Sequence, residues 1–267
     1  MNSSTMADSP IQLIKRPSVL WPLSLLIGVV VYFGFPFTGG ERLDLWFQSY
    51  FWQGQAWLMP HDSVLGDILA YKGPKTLIII FALYVIVVTE PHKFPSSWSN
   101  RFFTKFLTYV RIPLHLFASM AALPFFQPSW LNRRRALYVL ACMALVPIIS
   151  TQLRAISHMA TPTELKMYGG AYDHLLLFQA KPTGYPCHAF PAGHASGGFA
   201  LICLYWAWAD RPYRRLGLAI GLFFGGVMGL YQIARGEHFL SHTLTTALIA
   251  WLVSALLARL IEPTRAA

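Results

Sequence analysis

The sequence predicts an all-α integral membrane protein, a single domain over residues 1–267 built as a six-span helical bundle. Three observations predict it. Hydrophobic residues make up 55% of the chain and charged residues 12%, with a mean hydropathy of +0.46, which is outside the soluble range. Apolar runs near span length recur six times. Basic residues gather at alternate ends of those runs. The net charge of +10 raises the question of nucleic acid. Basic residues beside apolar spans instead set topology and meet anionic headgroups, so no nucleic-acid partner is expected.

Crossing the hydrocarbon takes about 20 residues of helix. The first span is read from Val19 to Phe37. Lys15 and Arg16 precede it and no small-residue cleavage pattern follows, so it reads as an anchor behind a cytoplasmic tail of residues 1–16. Residues 38–74 form an outer loop. Within it, Glu41 to Trp57 is amphipathic, with Leu43, Leu45, Trp46, Tyr50, Phe51 and Trp57 suited to the membrane interface. The second span is Lys75 to Thr89, and residues 90–135 form a cytoplasmic loop. In that loop Leu107 to Phe126 is interrupted by Arg111, Pro113, His115 and Pro124. It reads as an interfacial or re-entrant piece, because a lipid-facing charge at mid-depth is costly. Spans three to six are Ala136–Leu153, His194–Ala209, Leu216–Ala234 and Phe239–Leu260. The outer loop 154–193, rich in Gly, Pro and His, would roof a site.

With both ends cytoplasmic, 14 of the 21 basic residues fall inside and 7 outside. Arg133-Arg134-Arg135 and Arg211, Arg214 and Arg215 are the strongest anchors of that orientation. Cys142 and Cys203 lie in apolar runs and Cys187 in a polar loop, so neither a disulfide framework nor a zinc cysteine pair can be built.

Two outward stretches carry the chemistry. They are Phe190-Pro-Ala-Gly-His-Ala-Ser-Gly-Gly198 and Ala234-Arg-Gly-Glu-His-Phe-Leu-Ser-His242. His238 and His242, four apart, share a helical face. Gly236 would allow a ligand close to the backbone, and Arg235 would grip phosphate oxygens with its planar fork. His194 opens span four behind Ala192 and Gly193, where helix N-terminal amides attract anions. One imidazole can attack phosphorus while another protonates the leaving oxygen, since histidine titrates near neutrality. Taken alone, His194 would read as a helix-start histidine bonded to a carbonyl. Paired with the second motif, it reads as functional.

These residues resemble the type 2 phosphatidic acid phosphatases, relatives of the vanadium haloperoxidases. The membrane members of that family have six spans and three motifs, Lys-x6-Arg-Pro, Pro-Ser-Gly-His and Ser-Arg-x5-His-x3-Asp. Pro191-Ala192-Gly193-His194 is similar to the second, with Ala for Ser. Gly236 to His242 is similar to the third, with His238 in the nucleophile position. Arg154-x6-Thr161-Pro162 is similar to the first in spacing, with Arg for Lys and Thr for Arg. The resemblance covers roughly the last 115 residues closely and the rest only in topology.

It implies a bundle of the same type with its active site at the outer, periplasmic face of the plasma membrane, the inner membrane of a bacterium. His238 would form a phosphohistidine and His194 would protonate the leaving alcohol. Arg154, Gly193 and Ala192 would bind phosphate. Lys166 and Lys181 have no motif position and are headgroup candidates only from their place in the roof loop. The substrate would be a membrane lipid phosphate: an isoprenoid diphosphate, phosphatidic acid, phosphatidylglycerol phosphate or lipid A. No cofactor or metal is implied. Hydrolysis and transfer to an acceptor remain alternatives, and the oligomeric state is open.

The chain departs from the family at three positions. Gln232 takes the place of the third-motif arginine, with Arg235 one turn on as its substitute. Thr161 takes the place of the first-motif arginine. His242 replaces the aspartate that orients the nucleophile, and Glu237 and Asp173 are the outward acids that could replace it. His158, His174 and His188 read as polar loop residues. Two other functions compete. Glu237-His238-x3-His242 offers zinc-like spacing for a metal-dependent hydrolase, although the glutamate is misplaced for a general base. The departures also suit a non-catalytic lipid-phosphate binder or transporter.

Overall fold

Helices α1 (Pro17–Gly34) and α2 (Gly40–Ser49) begin the described chain. The structure, a computed structural model, describes residues 17–89 and 130–262. The predicted tail 1–16, the Leu107–Phe126 piece and most of the loop 90–135 lie outside the described residues. Helix α1 starts on Pro17, where a missing amide costs nothing, and ends before Pro36. It is therefore shorter than the predicted Val19–Phe37.

The second apolar segment differs most from its sequence reading. Helix α3 (Val64–Asp67), a π turn (Ile68–Lys72) and α4 (Gly73–Thr89) run on as one rod, so residues 64–74 belong to the span and not to the loop 38–74. Two of its charges are matched, since Asp67 takes Lys72 at 2.9 Å and Arg235 at 2.8 Å, and the helix can start a turn and more early. The π turn brings the Ile68 carbonyl against the position a Cβ on Gly73 would take.

Helix α5 (Arg133–Ile156) is capped by Asn132, whose side chain accepts from the Arg135 amide at 2.9 Å. The predicted fourth span is a broken helix. It comprises a 3₁₀ turn (Gly193–Ala195), α6 (Ser196–Ala200), a second 3₁₀ turn (Leu201–Cys203) and α7 (Leu204–Ala207). Helices α8 (Arg214–Ala234) and α9 (Leu240–Ile261) complete the bundle. Among the described residues four segments are long and apolar enough to cross a membrane: Val64–Ile86, Arg133–Ile156, Arg214–Ala234 and Leu240–Ile261. Helix α1 is a shorter apolar helix. Among the described residues there is no strand, only the isolated bridges Trp52–Trp57 and Leu165–Tyr172.

Contacts sort the helix ends into two sets. At one end Arg135 meets Asp210 at 2.6 Å, the Trp130 ring meets Trp208 edge-on, and Arg259 reaches Ser18 at 3.0 Å. Arg135 is 4% exposed, so one of the six predicted basic anchors turns inward to an ion pair. At the other end, Ala192 bonds to His242, Arg235 to Asp67, and Gln48 to Ile233. Both histidine motifs lie at this second end.

Glycine fixes the packing between them. Gly217, Gly221 and Gly225 repeat every four residues on α8, facing the broken segment. A Cβ on Gly221 would collide with the Ile202 backbone, and one on Gly225 with the Phe199 ring. Small residues at this spacing let helix backbones approach inside a bilayer. The roof carries its own core, in which Ala160, Leu165 and Tyr185 close on Phe239.

Candidate active site

The loop between α8 and α9 carries His238, and its shape follows from how α8 stops. Gly236 takes the left-handed conformation, φ +75°. Its amide donates to the Ile233 carbonyl at 3.0 Å and the Glu237 amide to Gln232 at 2.9 Å, the paired bonds of a Schellman cap. The Trp57 ring occupies the space of a Cβ on Gly236. The glycine thus terminates a helix and seats Trp57, a role different from the ligand approach read from sequence.

Helix α2 braces both sides of that loop. Gln48 Nε2 donates to the Ile233 carbonyl at 3.0 Å, in the last turn of α8. Asp44 accepts from the Ser241 amide at 2.9 Å and also bonds the Ser241 hydroxyl, which caps α9 from a distance. Burial outweighs these bonds and pushes the Asp44 carboxyl up to about 7. The helix in the stretch Glu41–Trp57 ends at Ser49; Trp46 and Tyr50 are exposed, while Asp44 and Gln48 are buried together with Gly40.

His194 Nδ1 lies 3.1 Å from His238 Nε2, with ring centroids 5.4 Å apart. The two imidazoles come from separate segments, and His238 is 1% exposed. Burial, reinforced by the imidazoles of His242 and His194, holds His238 well below the usual histidine range. It is therefore neutral, the form that can act as a nucleophile.

Arg154 sits in the last turn of α5, where a cation suits the helix dipole. Its Nη1 comes 3.5 Å from where a Cβ on Gly193 would lie, so the guanidinium covers the Gly193 backbone beside His194. Ala192, also assigned to phosphate by the sequence, has a scaffold role instead. Its amide donates to the His242 carbonyl at 3.2 Å and its carbonyl accepts from Thr246 at 3.1 Å. Thr161 is a cap: Glu164 takes its amide at 2.8 Å and its hydroxyl at 2.9 Å.

Arg235 lies near enough to act on His194, together with Arg154 and Lys75. However, its Nη1 is bonded to Asp67 at 2.8 Å and its Nη2 to the His61 carbonyl at 3.1 Å. Sequence reasoning missed Asp67, Tyr71 and Lys75. The Tyr71 ring meets the His194 ring edge-on at 5.3 Å, and Lys75 Nζ stands 5.7 Å from the Tyr71 centroid. Reading residues 64–74 as loop hid Asp67 and Tyr71, while Lys75 stood only as the first residue of the span; the early helix start and its π turn carry Tyr71 to His194.

A cavity of about 300 Å³ leads from His194 between α4 and α5, lined by Tyr71, Lys75, Ile79, Met143, Pro147 and Gly193 among others. A larger one, about 870 Å³, lies at the opposite end of the bundle beside Trp21, Trp251 and Arg259.

The remaining candidates lie apart from this centre. Lys166 pairs with Asp173 at 2.9 Å on the surface. Lys181 donates to the Leu176 and Leu177 carbonyls at 2.5 and 2.7 Å and lines a separate cavity with Cys187 and His158. Glu237 pairs with His61 at 3.3 Å. Neither acid suggested as a replacement for the missing aspartate reaches His238. His242 stacks edge-on between Phe190 and Phe239, its ring 5.8 Å from that of His238. Among the described residues, no three His, Cys, Asp or Glu side chains converge as a metal site.

Residues 135–265 match the family model described as the PAP2 superfamily, a segment that holds Arg154 and every histidine of this centre. No curated protein and no solved structure matches the chain.

Proposed function

Starting from the chain's membership of the PAP2 superfamily, we propose that it is a lipid-phosphate phosphatase or phosphotransferase that works through a phosphohistidine. The observation that carries this reading is the 3.1 Å approach of His194 and His238 beside Arg154 and the Gly193 backbone. The two rings separate to admit a phosphoryl group, whose oxygens the Arg154 fork holds. His238 Nε2 attacks phosphorus, and the bond to the leaving oxygen breaks as His194 delivers a proton to that oxygen. His194 then takes a proton from water or an alcohol, whose oxygen attacks the phosphorus and frees His238. An arriving phosphate dianion offsets the three cations around His194 and favours its protonated form.

The 300 Å³ cavity suits an apolar chain attached to that phosphate, since Ile79, Met143 and Pro147 line it away from His194. The substrate class is therefore a membrane lipid mono- or diphosphate. The histidine end faces outward in this reading, because Arg133, Arg134, Arg211, Arg214 and Arg215 sit at the other end and positive charge is retained inside. In this reading six apolar segments cross, with α1 and the broken fourth segment as the short ones.

The test is phosphate release by purified protein from a panel of mono- and diphosphorylated lipids. Release that vanadate inhibits and chelators leave intact supports the proposal. Loss of release with chelator favours the metal-dependent reading. Binding of the lipids without release favours a non-catalytic carrier.

A further inference from the structure

When His238 takes a phosphoryl group on Nε2 its ring becomes a cation. A buried cation needs an anionic or strongly accepting partner on the far side. The far atom, His238 Nδ1, is buried without a completed hydrogen bond, as is His242 Nδ1 behind it. The Ala189 carbonyl faces both rings, but one neutral acceptor shared by two imidazoles does not balance a charge. His242 and His174 both line a small cavity of about 10 Å³, together with Asp44 and Ser241. That volume is about what one water occupies. Beyond it, His174 Nδ1 lies 3.0 Å from Glu41 Oε1. The His174 side chain is 7% exposed, so a residue that reads as a polar loop histidine is in fact buried. Asp44 already serves Ser241. Among the described residues, Glu41 is the carboxylate bonded directly to this file of histidines, at His174.

We propose that Glu41, through His174 and His242, is the anionic anchor of the nucleophile, with all three acting as positioning residues for His238. This rests on the phosphohistidine reading above. The His174 Nδ1 proton is donated to Glu41, which leaves Nε2 to accept across the small cavity. His242 donates toward that cavity and accepts from His238 Nδ1–H. Each ring then has one donor and one acceptor in use, and the positive charge that forms on His238 is balanced by a carboxylate two imidazoles away. Burial lowers the His174 pKa against the pull of Glu41, which keeps this ring in the neutral form the file requires.

The test compares Glu41→Gln, His174→Gln and His242→Asp in the full-length protein, using a lipid phosphate that the wild type hydrolyses. Glu41→Gln and His174→Gln are expected to lower kcat about 10- to 100-fold, with KM within about twofold. In the His242→Asp background a carboxylate adjoins His238 directly, so adding Glu41→Gln should cost less than about twofold. Single-turnover formation of acid-labile phosphoprotein, measured on folded protein selected by thermal melt, should slow in the same proportion. Wild-type kcat in both single variants overturns the proposal. Equal losses from Glu41→Gln in both backgrounds also overturn it, since they would mark Glu41 as a structural group only. If His238→Ala keeps activity, the phosphohistidine itself fails; if His238→Ala is inactive while Glu41→Gln is not, only the relay fails.

Discussion

His194 Nδ1 and His238 Nε2 face each other at 3.1 Å, although 44 positions separate them in the chain. The approach depends on two backbone devices, the Schellman cap at Gly236 and the Ala192–His242 bond that ties the two motifs together. Replacing His238 by Ala should abolish phosphate release and acid-labile labelling. His194→Ala should slow release by about 10²- to 10⁴-fold, the usual weight of a general acid. Comparing both variants for release and labelling on one lipid phosphate checks this.

Arg154 and Arg235 should behave differently despite their shared charge. Arg154→Gln should raise KM for phosphorylated lipid, because its guanidinium faces the Gly193 backbone rather than an acid. Arg235→Gln should chiefly lower the melting temperature, since its partner is Asp67. Adding Asp67→Asn to it should cost less than the two single losses combined, and a double-mutant cycle of melting temperatures reads that coupling.

Two neighbouring glycines of α8 make a matched test of the packing. Gly221→Ala should destabilise by about 1–3 kcal/mol, because the added carbon meets the Ile202 backbone. A Cβ on Gly226 meets open space, so Gly226→Ala should be neutral or stabilise by up to about 1 kcal/mol. Thermal melts in one detergent compare them.

Asp44 should make stability depend on pH. Its folded pKa of about 7 lies above the ordinary 3.8. The protonated carboxyl therefore contributes fully below pH 3.8, and the contribution is lost as pH rises to about 7 and is flat beyond. Relative to Asp44→Asn, the wild type should lose at most about 1.4 kcal/mol per pH unit across that window. Melts of the two proteins from pH 4 to pH 8 measure the difference.

Orientation can be read from one thiol. Cys142 and Cys203 are buried in the bundle, whereas Cys187 is half-buried on the roof near Ala155. An impermeant maleimide added to intact cells should label the protein, and Cys187→Ser should remove the label. Labelling only after the membrane is opened would reverse the proposed topology.

The sequence determined the helical class, the two histidine stretches and the general place of most apolar segments, because hydropathy and local spacing are properties of neighbouring residues. It also holds a signal of the buried polar face: Glu41, Asp44 and Gln48 fall at i, i+3 and i+7 beside Leu43, Leu45, Trp46 and Phe47. The tertiary structure alone decided which charges were free. Arg235 and Arg154 look alike in the chain, yet among the described residues only Arg235 of the two meets an acid, and that acid is 168 positions away. It also decided that Lys75 and Tyr71 reach His194 and that His174 lies buried beside Glu41. Such pairings depend on how helices that are distant in sequence pack side by side. A carboxylate inside a bundle acts on whatever the fold brings within a few ångströms, and that distance is set by packing rather than by sequence spacing.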